Sequence, residues 1–170
     1  RNGILTTYDF VDNDTDIFHG GTHGMSVLSV LAGYVDGQLI GSAPGATFVL
    51  LKSENEASET TIEEDNWVAA AEFADSVGAD IISSSLGYNL FNNGLGDYTW
   101  DDLDGRTATT TKAAVLAARK GILVVNSAGN EGAGAWQKII TPADADSILT
   151  VGGVDSKRQH VGFSSVGPTA

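Results

Sequence analysis

Cysteine is absent from the 170-residue chain, and positively charged side chains are few. Without cysteine the chain can neither form a disulfide nor supply a thiol nucleophile. The absence of cysteine does not decide the cellular compartment. The chain has nine Lys and Arg residues and 22 Asp and Glu residues, which gives a net charge of −13. This charge argues against nucleic acid as a partner. No apolar run reaches the roughly 18 residues of a membrane-spanning helix, and no signal peptide is visible. Because residue 1 is Arg rather than Met, we expect a piece of a longer protein.

Short apolar runs alternate with segments of helical periodicity, which is typical of a parallel α/β sheet. The predicted strands are residues 4–10, 47–51, 80–83, 122–125 and 148–151. The predicted helices are residues 23–33, 62–77 and 109–120, and loops are predicted over 34–41 and 84–106. Thr61 and Glu64 have the spacing of a capping box for the second helix. We therefore expect an α/β fold with a parallel sheet flanked by helices on both faces.

His23 is a candidate general base, because imidazole titrates near neutral pH and can take up and return a proton. It precedes apolar residues at helical spacing, which predicts an imidazole at a helix N-terminus. A packed, structural histidine is the alternative. His19 lies four residues earlier, a zinc-ligand spacing on a helix, but Gly20 and Gly21 between them disfavour a helix there.

Two acidic stretches raise the question of a metal site. The first stretch is residues 12–16. A twelve-residue calcium loop that began at Asp12 would require Gly at its sixth position and Glu at its twelfth, but those positions are Ile17 and His23. The second contains Asp97, Asp101, Asp102 and Asp104. A solvated loop is the better interpretation of both stretches.

Two polar segments follow predicted strands, where ligands bind in parallel α/β sheets. One is Ser84-Ser85-Leu86-Gly87, and the other is Ser127-Ala128-Gly129-Asn130. The Asn130 amide could donate a hydrogen bond to an oxyanion, or it could be an ordinary turn residue. No Gly-x-Gly-x-x-Gly or Gly-Lys-Ser/Thr motif occurs, which argues against a nucleotide-binding protein.

Taken together, these segments resemble those of the subtilisin-like serine peptidases. His23-Gly24-Met25-Ser26-Val27 is similar to that family's His-Gly-Thr-x-Val, with Met25 in place of Thr, and 41–44 is similar to its Gly-x-Ala-Pro turn. Ser85-Leu86-Gly87 is similar to the substrate-pairing segment, and 128–132 to the oxyanion motif. Residues 141–143, 151–155 and 163–168 resemble segments that lie later in the family's domain, in the same order.

The resemblance implies a serine endopeptidase acting on a peptide or protein substrate. It implies that His23 is the general base and that Asn130 is the oxyanion donor. It further implies substrate binding by Ser85, Leu86 and Gly87 through main-chain hydrogen bonds, and by Ser127, Ala128 and Gly129 in the pocket for the residue before the scissile bond. We expect no cofactor. Calcium after the histidine helix is doubtful, because residues 34–39 offer only Asp36 as a carboxylate. Export from a bacterium, to the medium or the cell envelope, is expected from the resemblance alone.

Two motifs of the family are missing from the sequence. Neither Asp-Ser/Thr-Gly, which contains its catalytic aspartate, nor Gly-Thr-Ser-x-Ala, which contains its nucleophile, occurs. Asp9 and Asp12 are less favoured substitutes for the aspartate, and the Ser164-Ser165 pair lacks the nucleophile's context. We therefore interpret residues 1–170 as a partial subtilisin-like peptidase domain, inactive by itself, whose aspartate precedes Arg1 and whose serine follows Ala170. The alternative is a non-catalytic relative that binds peptides.

Overall fold

The computed structural model describes residues 3–170, apart from the side chain of residue 93. Strands are β1 (Ile4–Asp9), β2 (Tyr34–Val35), β3 (Leu39–Ile40), β4 (Phe48–Lys52), β5 (Ile81–Ser84), β6 (Leu123–Ser127) and β7 (Leu149–Val151). Helices are α1 (His23–Ala32), α2 (Ile62–Ser76) and α3 (Thr109–Arg119), with single 3-10 turns at Asn92–Gly94 and Trp100–Asp102. Residues up to Ala57 form one compact unit, and residues from Ser58 form a second.

The first unit contains a parallel strand pair connected through α1. Strands β1 and β4 run in register from Ile4 opposite Phe48 to Asp9 opposite Lys52, with one irregularity near the start. Val27 and Leu31 of α1 are half-buried as expected, whereas Val30 is 59% exposed. The predicted loop over 34–41 instead contains the antiparallel β2–β3 hairpin. Its turn includes Gly37 at a φ of 71°, a left-handed conformation that glycine adopts at little cost.

The second unit contains a three-stranded parallel sheet in the order β5-β6-β7. Helices α2 and α3 supply its main core. The buried members of that core are Trp67, Ala71, Ala113, Ala114, Ala117, Ile122, Val124 and Ala145. Small alanines let the two helices approach each other and the sheet closely. The opposite sheet face is open among the described residues, with Ile81, Leu123 and Leu149 each about half exposed. The apolar runs predicted as buried strands are therefore covered on one face by this part of the chain.

The N-terminus of α2 differs from the capping box predicted from the sequence. The Thr61 side chain makes no capping hydrogen bond, and Thr60 N–H instead donates to Glu63 Oε2 at 2.8 Å. Glu64 bonds to Tyr98, a residue far along the chain. The predicted end of this helix at residue 77 is confirmed to within one residue, and Gly78 follows it at a φ of 77°, a conformation typical of a helix C-terminus. Among residues 3–170, no helix is both long and apolar enough to cross a bilayer.

Candidate active site

His23 is the first residue of α1, as the sequence predicted. The helix begins after Thr22, whose carbonyl accepts the Ser26 N–H at 3.0 Å. The imidazole is exposed and has no hydrogen-bond or ion-pair partner among the described residues. A general base needs an imidazole that is accessible to the group it deprotonates, and His23 satisfies that requirement.

His19 lies in a different environment, beside two carboxylates. Its Nε2 atom is 3.7 Å from Asp9 Oδ2 and 3.8 Å from Asp12 Oδ2, and the imidazole is 44% exposed. Lys52 Nζ donates to the same Asp9 oxygen at 2.7 Å. Asp9, Asp12 and His19 are thus close enough to share a metal ion, but the Lys52 ammonium already compensates the buried Asp9 charge. Among the described residues, this group contains His19 and the two carboxylates, and His23 is not a member of it.

The two predicted peptide-binding segments lie side by side in the second unit. Ser84 of β5 is in register with Asn126 of β6, so the residues that follow each strand leave the sheet at the same edge. Ser85 is exposed, and Leu86 and Gly87 are half-buried. Neither the N–H nor the C=O of Gly87 has a hydrogen-bond partner among the described residues. That main chain is therefore available to an added strand.

The Ile140 side chain fills the space between these two segments. A Cβ atom on Gly87 would come within 2.6 Å of Ile140 Cγ1, and one on Gly129 within 2.9 Å of the same atom. Gly129 also has a φ of 105°, which favours glycine. The neighbouring Thr141 exchanges two backbone hydrogen bonds with Tyr88, at 2.9 and 3.0 Å. Ile140 and Thr141 thus hold both segments from behind, a role that no sequence pattern indicated.

Asn130 lies in a turn whose backbone Ser165 holds on both sides. Ser165 N–H donates to Gly129 O at 3.0 Å, and Ser165 Oγ accepts the Glu131 N–H at 3.0 Å. The Asn130 side chain itself is exposed and has no hydrogen-bond partner among the described residues. A fixed turn with a free amide is what electrostatic stabilisation of an oxyanion requires. Ser164 Oγ accepts the Gly153 N–H at 2.9 Å, so both serines of this pair are buried and already bonded.

The carboxylates of the 97–104 stretch close turns in the backbone. Asp97 accepts the Phe91 N–H at 2.7 Å, and Asp102 accepts both the N–H and the hydroxyl of Thr99. Asp104 accepts two backbone N–H groups and one hydroxyl from residues 106–107. The carboxylate oxygens of these three residues thus accept hydrogen bonds in separate turns of the backbone.

Two buried carboxylates attach this polar stretch to the helices. The sequence indicated Glu64 only as a capping residue and did not indicate Asp144. Glu64 of α2 accepts the Tyr98 hydroxyl at 2.8 Å, and burial raises the pKa of Glu64. Asp144 accepts the Thr111 hydroxyl at 2.6 Å and the Gly105 N–H at 3.0 Å, and burial likewise raises its pKa. Both groups lie in the core and serve to order the long loop.

Comparison with known proteins identifies the family. Residues 5–170 match the Peptidase_S8 model, described as the subtilase family. The chain belongs to the subtilase family. It is 32% identical to Subtilisin DY of Bacillus licheniformis over 160 residues, which cover 93% of the chain and 52% of that protein. It is 30% identical to the Minor extracellular protease Vpr of Bacillus subtilis (strain 168) over 159 residues, which cover 88% of the chain and 18% of that protein.

Solved structures show the same fold. The prenylagaramide maturation protease PagA matches with a TM-score of 0.70 and 24% identity, covering 98% of the chain and 58% of that protease. MycP1 matches with a TM-score of 0.69 and 19% identity, covering 98% and 60% respectively. The chain spans about half, or less, of the curated relatives it matches. The predicted family and α/β fold class are thus confirmed. The roles of His23, Asn130 and the two peptide-binding segments stay predictions.

Proposed function

We propose that this subtilase segment is part of a serine endopeptidase that hydrolyses peptide bonds once the domain is complete. The observation that supports this best is the state of Asn130. Its turn is held on both sides, while its amide has no partner in the part of the chain that the structure describes. An asparagine that serves a turn commonly bonds the backbone two residues on through its side chain, and Asn130 makes no such bond among the described residues. A developing oxyanion is the group that such a donor stabilises.

In the proposed reaction, a serine hydroxyl attacks the carbonyl carbon of the scissile peptide bond. His23 accepts the hydroxyl proton and later donates it to the leaving amine. The Asn130 amide donates to the carbonyl oxygen as that oxygen gains negative charge. Water then hydrolyses the acyl-enzyme with His23 as base, which restores the serine. No cofactor is required for this chemistry.

The serine and the aspartate that orients His23 come from segments outside these 170 residues, since neither family motif occurs here. The contacts of Asp9 support this assignment. Its carboxylate accepts the N–H groups of Val11 and Asp12 as well as the Lys52 ammonium. A carboxylate with three donors already bound has little capacity left to orient an imidazole.

The substrate in this proposal is an extended peptide or a protein segment. It pairs as an added strand with the main chain of residues 85–87, and residues 127–129 line the pocket for the side chain before the scissile bond. This mode is supported by the exposure of Ser85 and by the main chain of Gly87, which has no partner within the described part of the chain. We propose secretion as the location, and the extracellular relative supports it.

A fluorophosphonate probe tests the proposal, because it labels only a serine that its active site has made nucleophilic. We would label the full-length protein beside its His23→Ala and His160→Ala variants. His160 is the matched control, an exposed histidine outside the proposed machinery. We expect labelling of the wild type and of His160→Ala, and loss of labelling in His23→Ala. A folded wild type that takes up no probe would instead support the non-catalytic, peptide-binding alternative.

A further inference from the structure

Asn126 lies directly behind the two peptide-binding segments. It occupies β6 in register with Ser84 on one side and Thr150 on the other, and it is 1% exposed. The three strand residues before it, Leu123, Val124 and Val125, are apolar, and Ser127 follows it. A buried amide in such a strand has a desolvation cost, so its hydrogen bonds decide whether it can be accommodated.

The Asn126 amide nitrogen joins the two segments to each other. Nδ2 donates to Leu86 O at 3.0 Å and to Ser127 O at 2.9 Å. Both partners are carbonyl oxygens, so only the amide nitrogen can bond to them, and this fixes the orientation of the side chain. Leu86 belongs to the proposed substrate-pairing segment and Ser127 to the proposed pocket. One side chain thus links the two walls of the proposed peptide cleft.

Asn126 Oδ1 supports a role beyond packing. This atom is buried and has no hydrogen-bond partner among the described residues. An apolar side chain of the same size would fill the space without leaving a polar atom unpaired. The asparagine therefore contributes what an apolar residue cannot, which is a pair of N–H groups directed at two carbonyls.

The bond to Leu86 also affects its neighbour. Leu86 O is engaged from inside the protein, while the main chain of the adjacent Gly87 has no partner among the described residues. A segment whose main chain is held on one side and has no partner on the other is prepared to pair with a peptide without further ordering. Without the Asn126 bond, the contacts of Ile140 and Thr141 would remain, and a substrate would have to complete the ordering of residues 85–87 as it binds.

We propose that Asn126 is a positioning residue that sets the separation between residues 85–87 and 127–129 and so favours extended peptide substrates. This inference rests on the proposed endopeptidase function. Asn126 touches neither the substrate nor the reacting atoms. It acts through the Leu86 and Ser127 carbonyls, and its effect grows with the number of substrate residues that pair with the added-strand site.

The test compares Asn126→Leu with Thr150→Val in the full-length protein. Thr150 is the matched control, because it occupies the neighbouring register position and its hydroxyl donates to the Ala143 carbonyl. Among the described residues, its side chain makes no hydrogen bond to either peptide-binding segment. Each variant would be assayed on a small ester and on peptides that lengthen on the acyl side of one constant scissile bond. Thermal unfolding of every variant is recorded alongside.

We expect Asn126→Leu to lower kcat/KM on the longest peptide by about tenfold, the equivalent of one or two lost hydrogen bonds. The loss should lie mainly in KM, and turnover of the ester should change by less than about twofold. Thr150→Val should leave the ratio of peptide to ester activity unchanged. Asn126→Ser, which keeps one donor in a smaller side chain, should give an intermediate ratio.

An unchanged ratio in folded Asn126→Leu, or an equal fall in Thr150→Val, would overturn the inference while leaving the endopeptidase function intact. Failure of both Asn126 variants to fold would also overturn it, because the residue would then act in folding. If the wild type cleaves neither the ester nor any peptide, the proposed function itself fails. That result is distinct because it appears without any substitution.

Discussion

Lys52 Nζ donates to Asp9 Oδ2 at 2.7 Å across the last register position of β1 and β4, and the Asp9 side chain has no exposed surface. Burial disfavours both charges. The hydrogen bond and the attraction between them nevertheless hold the pKa of Asp9 below its usual value and that of Lys52 above. The pair secures the end of β1, from which the chain continues through His19 to the histidine helix.

Asp9→Asn should reduce the free energy of unfolding by about 1.5–3 kcal/mol at pH 7. The wild-type advantage is present above the ordinary aspartate pKa and is lost as pH falls through the lowered pKa of folded Asp9. Denaturant unfolding of the full-length protein at pH 7 and in a series towards pH 2 measures both effects. The control is Asp36→Asn, at an exposed position. Its free energy of unfolding is expected to lie within about 0.5 kcal/mol of the wild-type value. A difference for Asp9→Asn that does not vary with pH would show that the ion pair is not its source.

Gly87→Ala should destabilise the protein by about 1–3 kcal/mol, because the new methyl group would overlap the Ile140 side chain. It should also reduce peptide hydrolysis by displacing the proposed added-strand site. Gly162→Ala is the matched control, since a Cβ atom there meets nothing within 4 Å. Thermal unfolding and peptide kinetics measure the two effects. Ile140→Ala should partly restore the stability of Gly87→Ala, and the absence of any restoration would place the conflict elsewhere.

Tyr98→Phe should cost about 1.5–3 kcal/mol above the pKa of folded Glu64, because the buried carboxylate loses a donor. The Tyr98 bond lowers the Glu64 pKa, so its removal raises that pKa further. The cost should therefore disappear as the pH falls and Glu64 is protonated. Denaturant unfolding between pH 3 and pH 8 tests this, with the exposed Tyr34→Phe as control. An equal cost at both ends of that range would contradict a role for the Glu64 charge.

Asn130→Ala should lower kcat by roughly 10²- to 10³-fold with little change in KM or stability, because the lost bond forms only in the transition state. That magnitude is transferred from the oxyanion donor of a subtilisin, a member of this same family. Steady-state kinetics of the full-length protein would measure it. Asn130→Asp, similar in size without the N–H donors, should be at least as impaired. A kcat that stays within about threefold of wild type in both variants would remove Asn130 from the mechanism.

Much of the fold was predictable because its signals are local. The helix beginning at His23, the glycine stop at Gly78 and the turn before Asn130 each depend on a few adjacent residues. The β2–β3 hairpin was missed because its two strands have only two residues each, too few to show a period. The predicted capping box is not formed, because the Glu64 carboxylate instead accepts hydrogen bonds from Tyr98 and Thr110, which approach it only in the folded chain.

For Asn126, the sequence could predict that the residue is unusual but not which residue it bonds to. A polar residue within the apolar β6 run is a visible irregularity, and a buried amide demands partners. The identity of the partner was not readable, because Leu86 lies 40 residues away. The position of Ile140 between two glycines was equally hidden.

The sequence by itself determined the family, the α/β alternation, the acidic surface and the segments that present His23 and Asn130, since all of these depend on composition, periodicity and short motifs. Only the tertiary structure decided which polar side chains have hydrogen-bond partners within the protein. Asp9, Glu64 and Ser165 are bonded to distant partners, whereas the side chains of His23 and Asn130 have none among the described residues. The physical reason is that hydrogen bonds across a sheet depend on strand register and on close packing, and neither is set by any one segment of the chain.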